Sequence, residues 1–232
     1  MDIETLEREF TLAKASTDYD QHQKFIKQLL SSDAPEIIAY HFSLLKRREN
    51  WDLYQDIRYA FRKRGAVAER FLVDKMKTES DPELQADALQ ILGGLRSKEV
   101  LPLARHFVSH QDPDLRYRAC IVLGWVGTED DIDILGNLLL NDSKGLIRGY
   151  AATALRQLWR RLPEAKPQIL VNLKKALESE IDAEALPLII VSLQSIMNKG
   201  FGLKENIDEG KITGNVQDAR KKALKALELI KG

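Results

Sequence analysis

The chain has 232 residues, 44% of them apolar and 30% charged, a composition that folds in water and excludes a disordered polymer. Lys plus Arg and Asp plus Glu are each 35, so whole-chain charge gives no reason to expect nucleic acid or an anionic membrane surface.

The N-terminal "MDIETLEREF" is acidic and amphipathic, unlike a secretory signal. Apolar spacing of three and four predicts helices over residues 3–15, 20–31 and 34–46. Strand signals are nearly absent, with no sustained alternation and no Asn-Gly turn. Next comes "NWDLYQDIRYAFRKRG", Asn50 to Gly65, followed by a partner segment, "AVAERFLVDKMKTES".

Two near-copies follow: "DPELQADALQILGGLRS" at Asp81 and "DPDLRYRACIVLGWVGT" at Asp112. Leu84 matches Leu115, Ala88 matches Ala119, Leu92 matches Leu123 and Gly93 matches Gly124, every pair 31 residues apart. Asp81 and Asp112 are N-cap candidates, because a carboxylate oxygen can accept a first-turn N–H. Pro82 and Pro113 then occupy the first helical position, where no N–H is missed. Each copy has a second helix, at Lys98–Gln111 and Glu129–Asp142. Cys120, the single cysteine, falls inside the second copy, where a small buried thiol is expected. It excludes an internal disulfide and fits a reducing compartment.

A third copy begins 32 residues on, with Ile147, Arg148, Ala151, Leu155 and Leu158 answering Leu115, Arg116, Ala119, Leu123 and Val126. Its partner helix is Pro163–Ser179. Residues 182–199 continue the pattern, and their run Leu186 to Leu193 is far short of the roughly 20 apolar residues a membrane span needs. Asn198 to Asn215, with four glycines and no periodicity, predicts a long mobile or partner-ordered loop, although it holds Phe201, Leu203, Ile207 and Ile212. A closing helix is predicted over Val216–Lys231. No composition break divides the chain, so a single domain is expected, located in the cytoplasm. Two-helix units repeating every 31 or 32 residues cannot bury their own apolar faces and must stack, which predicts an all-α solenoid.

The pattern Asp-Pro-x-[Leu/Val]-Arg-x-x-Ala-x-x-x-Leu-Gly, read at Asp112–Gly124, Asp81–Gly93 and in "LIRGYAATALR" at Leu146–Arg156, resembles HEAT repeats, specifically the short bacterial kind described as phycobilisome-lyase-like. Gln85 stands where the pattern has Arg, and Arg156 where it has Gly. The resemblance covers residues 50–162. It implies a right-handed solenoid of about six antiparallel helix pairs, with armadillo-like stacking, and a ladder joining Arg116 and Arg148 to carboxylates of neighbouring turns. It also places the first helix of each pair on a concave face. The letters there would be Trp51, Gln55, Asp56, Tyr59 and Lys63; Asp87 and Gln90; Tyr117, Arg118, Ile121 and Trp125; and Tyr150, Thr153, Gln157 and Arg161. Tyr, Trp and Arg dominate binding hot spots, so the expected partner surface is Trp51, Tyr59, Lys63, Asp87, Tyr117, Arg118, Ile121, Trp125, Tyr150, Gln157 and Arg161.

Catalytic signals are weaker. His106 and His110, spaced i, i+4, lack a third ligand, and no His-Glu dipeptide occurs, which sets aside the HEAT-like di-iron hydroxylases. "EGKITG" at Glu209 has Glu205 where a phosphate loop needs Gly. The runs "FRKRG" at Phe61, with Arg58 nearby, and "RQLWRRL" at Arg156 offer basic patches, but both lie at helix ends, where cations complement the dipole. The chain also shows no cluster of Trp with a carboxylate in a basic channel, which HEAT-fold DNA glycosylases would need.

The resulting expectation is a non-enzymatic protein-binding scaffold, an adaptor or assembly factor, with no cofactor, metal or membrane and no nucleic-acid partner. An inhibitor or immunity-type protein is the alternative, followed by a bilin-lyase-like maturation factor or a HEAT-fold DNA glycosylase.

Overall fold

A computed structural model describes residues 2–206 and 209–228. It is all-α but for one short hairpin, and it divides into two compact units, residues 1–100 and 101–232. No helix is long and apolar enough to cross a membrane among the described residues.

The first unit contains α1 (Ile3–Lys14), α2 (Tyr19–Leu29), α3 (Pro35–Ser43), α4 (Trp51–Arg62), α5 (Ala66–Met76) and α6 (Pro82–Leu95). A 3-10 turn, Leu44–Lys46, extends α3, so the predicted third helix is one α-helix that tightens in its last turn. Helices α2, α4 and α6 pack in succession. Phe42 of α3 meets Phe71 of α5 edge-on at 5.6 Å.

Arg64 is the polar centre of this unit. Its guanidinium donates to the carbonyls of Leu29 and Ser32, both at 2.7 Å, to the Asp33 carboxylate, and to His41 Nδ1 at 3.1 Å. His41 Nε2 donates to the Ile57 carbonyl at 2.9 Å, so the imidazole sits buried in its neutral form. Burial, with the adjacent Arg64 cation, holds its pKa down at about 3. The unfolded chain, with its histidine near 6.5, therefore binds the proton first. Stability is full above about pH 6.5 and falls as pH drops toward 3, at about 1.4 kcal/mol per pH unit. Urea titrations between pH 6.5 and 5 should show this slope, and His41→Gln should remove it. An unchanged slope in the variant would place the acid sensitivity elsewhere.

The second unit opens with most of α7 (Val100–Phe107) and continues through α8 (Pro113–Val126), α9 (Asp131–Asn141), α10 (Gly145–Arg161), α11 (Lys166–Ser179), α12 (Ala185–Met197) and α13 (Val216–Glu228). The predicted closing helix is seen as far as Glu228, and its last predicted residues, 229–231, lie outside the described ones. Helices α8, α10 and α12 pack side by side, as do α9, α11 and α13, giving two layers of stacked pairs.

The matched letters build these layers. Asp81 Oδ1 accepts from the N–H groups of Glu83 and Leu84, and Asp112 Oδ1 from those of Asp114 and Leu115. Leu92, Leu123 and Leu155 are all fully buried. At Gly124 α10 comes close against α8: a Cβ there would lie 2.9 Å from Ala154 Cα and 2.5 Å from Gln157 Oε1. Only a residue without a side chain permits that approach.

The repeat arginines form the implied ladder. Arg116 grips Asp142 with two bonds, at 2.7 and 3.0 Å, and Arg148 grips Glu180 at 2.6 and 2.9 Å. Each also donates to a carbonyl six residues back, that of His110 and of Asp142 respectively. Gln85, in the arginine position of the first copy, keeps the second bond alone, donating to the Glu79 carbonyl at 2.8 Å. The Arg148 guanidinium outweighs burial and lowers the pKa of Glu180; burial works to raise that of Asp142, and Arg116 and the Lys144 N–H bring it below the usual carboxylate value.

The segment 198–215 is not a plain loop. Lys204–Asn206 (β1) and Lys211–Thr213 (β2) pair antiparallel, Lys204 opposite Thr213. Phe201 and Leu203 are buried. The Gln194 side-chain oxygen accepts from the N–H of both, and its amide donates to the Leu203 carbonyl. Arg156 holds Glu205 with bonds of 2.7 and 3.1 Å. The segment is therefore docked through α10 and α12, which replaces the expectation of mobility. Ile207, named among its apolar residues, lies outside the described residues.

Candidate functional site

Of the eleven expected partner residues, Trp51, Tyr59, Lys63 and Asp87 belong to the first unit. On α4, Trp51 and Tyr59 are 59% and 61% exposed, unusual for rings of that size. The Trp51 ring leans on Tyr54 at 5.2 Å, and Lys63 Nζ lies 5.6 Å over the Tyr59 ring.

Asp87 is a correction. It is fully buried, not a surface letter; its carboxylate accepts from Tyr54 Oη at 2.7 Å and from Arg48 Nη2 at 3.0 Å. A buried carboxylate persists only when it is paired and hydrogen-bonded in this way. Burial and the Asp87 charge push the Tyr54 hydroxyl up to about 12, so it stays a donor. Gln90 is likewise turned inward, taking a bond from Arg58.

The other seven lie on α8 and α10 in the second unit. Tyr117 meets Tyr150 edge-on, centroids 4.7 Å apart at 88°, and the Arg118 guanidinium sits 5.3 Å over the Tyr117 ring. Ile121, Trp125, Tyr150 and Gln157 are half-buried. Arg161 reaches back to the carbonyls of Gly124 and Gly127, at 3.3 and 2.9 Å, and so ties the end of α10 to the end of α8. The tyrosines therefore both join successive repeats and keep an edge in solvent. Burial raises the pKa of the Tyr117 hydroxyl, with the Tyr150 contact adding to it, so it stays protonated. Beside these rings, at the N-terminal ends of α8 and α10, a cleft of about 560 Å³ is lined by Pro113, Tyr117, Lys144, Leu146 and Ile147, with Leu146 42% exposed.

The basic runs are dismantled by the fold. In "FRKRG", Arg64 is interior and Arg62 lies across Gly94, leaving Lys63 at the surface. In "RQLWRRL", Arg156 is nine-tenths buried on Glu205 and Arg161 serves α8, leaving Arg160 exposed. His110 Nδ1 accepts the Asp112 N–H, and both His106 and His110 rest edge-on against Phe107. No group of three or more His, Cys, Asp or Glu is placed to hold a metal ion among the described residues. Cys120 is buried in apolar surroundings that raise its pKa, so the thiol is not reactive.

Sequence reasoning missed the Arg64–His41 network, the Tyr54–Asp87–Arg48 pair and the hairpin anchor. His41 and Arg64 lie 23 residues apart, Tyr54 and Asp87 33, and Arg156 and Glu205 49, while Gln194 reaches only 7 and 9 residues along the chain; no periodic signal marks any of them.

Comparison with known proteins agrees with the repeat reading. Residues 69–156 match the HEAT repeats family. The chain is also similar to deoxyhypusine hydroxylase of Saccharomyces cerevisiae (strain ATCC 204508 / S288c), 29% identical over 139 residues, which cover 57% of this chain and 41% of that relative. The chain thus spans less than half the length of that curated relative. The expectation of a chain without enzymatic activity is overturned here. The relative, by its name a hydroxylase, is an enzyme.

Proposed function

We propose that this helical scaffold binds a partner protein through the outward strip of α8 and α10, with Tyr117, Arg118, Trp125 and Tyr150 as anchors, in the manner of an adaptor or assembly factor. One observation carries the reading: the letters that differ between repeats gather on one strip as half-exposed aromatic rings with a guanidinium over them, while the matched letters are consumed in stacking. Rings held by one another lose little entropy on binding, which suits them to recognition. The adjoining cleft gives a partner side chain somewhere to enter. Within HEAT repeats, the Asp-Pro motifs support a reading as the short bacterial, phycobilisome-lyase-like kind, and the single buried thiol supports a reducing compartment such as the cytoplasm.

Quantitative affinity capture from the source cells, comparing the natural chain with Tyr117→Ala/Trp125→Ala, tests the reading. Losing the Tyr117–Tyr150 contact costs about 0.5–1.5 kcal/mol beyond its buried area, so the double variant should melt somewhat earlier yet stay folded. Its specific partner should be depleted about thirtyfold, corresponding to about 2 kcal/mol at a hot spot. A folded double variant that retains its partners in full would exclude the strip.

A second reading rests on the similarity to deoxyhypusine hydroxylase, namely a protein-modifying hydroxylase. Incubating the purified chain with a deoxyhypusine-containing protein, dioxygen and a reductant and recording a mass gain of one oxygen would support it; no gain under those conditions would exclude it.

A further inference from the structure

Beside the hairpin, α10 and α12 enclose an open cleft of about 350 Å³ whose lining includes Arg156, Arg160, Ser195, Asn198, Lys199 and Glu205. Its charge is unbalanced. Three cations face one carboxylate, and Glu205 is spent on Arg156 alone. Arg160 and Lys199 are exposed and have no ion-pair partner among the described residues. Arg156 is more than nine-tenths buried, and its Nε has no acceptor among the described residues. A guanidinium offers five N–H donors in a rigid fork matched to carboxylate oxygens, and Glu205 uses two of them.

The hairpin itself shows what the cleft accepts. Glu205 sits on β1, and its carboxylate reaches Arg156 from an extended backbone, both oxygens engaged. At position 156 the repeat pattern has glycine, so this arginine is not needed for helix stacking.

We propose that this cleft is a carboxylate-binding site for an extended acidic peptide segment of a partner, held by Arg160 and Lys199 beside the Arg156–Glu205 pair. The site shares no residue with the anchors of the α8–α10 strip and stands whether or not that strip binds a protein. Glu205 acts in it as an internal ligand that keeps Arg156 aligned and leaves its neighbours for the incoming carboxylates. Exposed pairs of this kind are individually weak and screened by salt, so the affinity should be modest and fall steeply with ionic strength.

The test is fluorescence anisotropy of labelled hexaglutamate with the full chain at low ionic strength. Arg160→Ala/Lys199→Ala should bind about tenfold more weakly, the combined worth of two such contacts, with an unchanged melting point. Lys221→Ala/Lys225→Ala, which removes two exposed cations of α13 outside the cleft, should bind within about twofold of the natural chain, since general charge alone is screened. Glu205→Gln should bind more tightly, because it releases the Arg156 fork. The proposal is overturned by absent hexaglutamate binding, by equal losses in the two lysine-containing variants, or by no loss in Arg160→Ala/Lys199→Ala. It is also overturned if inorganic phosphate displaces the peptide at equal concentration, which would make this a site for free oxyanions.

Discussion

Asp87→Ala is expected to destabilise the first unit by about 3–5 kcal/mol, the cost of removing one partner from a buried charged pair. The carboxylate is fully enclosed and serves two donors, so its loss strands the buried Tyr54 hydroxyl and leaves Arg48 facing a cavity. Arg48 keeps some solvent, 26% of its side-chain surface, which places the cost at the lower end of that range. Asp87→Asn retains an acceptor for Tyr54 and should lose less than half as much. Urea denaturation of the three proteins checks both statements. A cost for Asp87→Ala under 1 kcal/mol would show the side chain to be solvated, and the original surface assignment would stand.

Leu123→Ala in the second unit should cost about 2–5 kcal/mol, from lost transfer energy and the cavity left between α8 and its neighbours. The packing there is constrained by Gly124 against Ala154, so the helices cannot close the gap by sliding together. Leu92 and Leu155 are buried equivalents, and alanine at either should fall in the same range. A loss below about 0.5 kcal/mol at Leu123 would mean that the matched leucines are not the stacking residues.

Much of this was legible from residue types and spacing. Asp81 and Asp112 cap α6 and α8 as their Asp-Pro pairs indicate, because capping is local chemistry within three residues. The leucine faces followed from period, and the arginine ladder from what the HEAT resemblance implies for Arg116 and Arg148. Other features depend on distance in the chain. Asp87 looked like a surface letter because apolar periodicity says nothing of a buried carboxylate whose donors sit on α4 and in the segment before it. Arg64 read as part of a basic run, yet its bonds go to Leu29, Ser32 and His41, which only folding brings near. The hairpin was hidden for a related reason. Its strands have three residues each, too short for alternation, and what docks it is the Gln194 amide and the Arg156 fork. The geometry of the candidate strip was legible in part. Six of the seven residues assigned to α8 and α10 share one half-buried strip with exposed Arg161 at its end, while Asp87 belongs to the core.

The central claim is that unmatched letters on the first helices of the pairs recognise a partner, while the second-helix layer only supports them. Site-specific photo-crosslinking in living source cells tests it most directly, with a benzophenone amino acid placed at Ile121 on α8 or at Val171, an exposed position on α11. The account predicts one discrete adduct from position 121, absent from position 171 and lost when Tyr117→Ala/Trp125→Ala is added. An adduct from position 171 with none from 121 would contradict it and move recognition to the other helix layer.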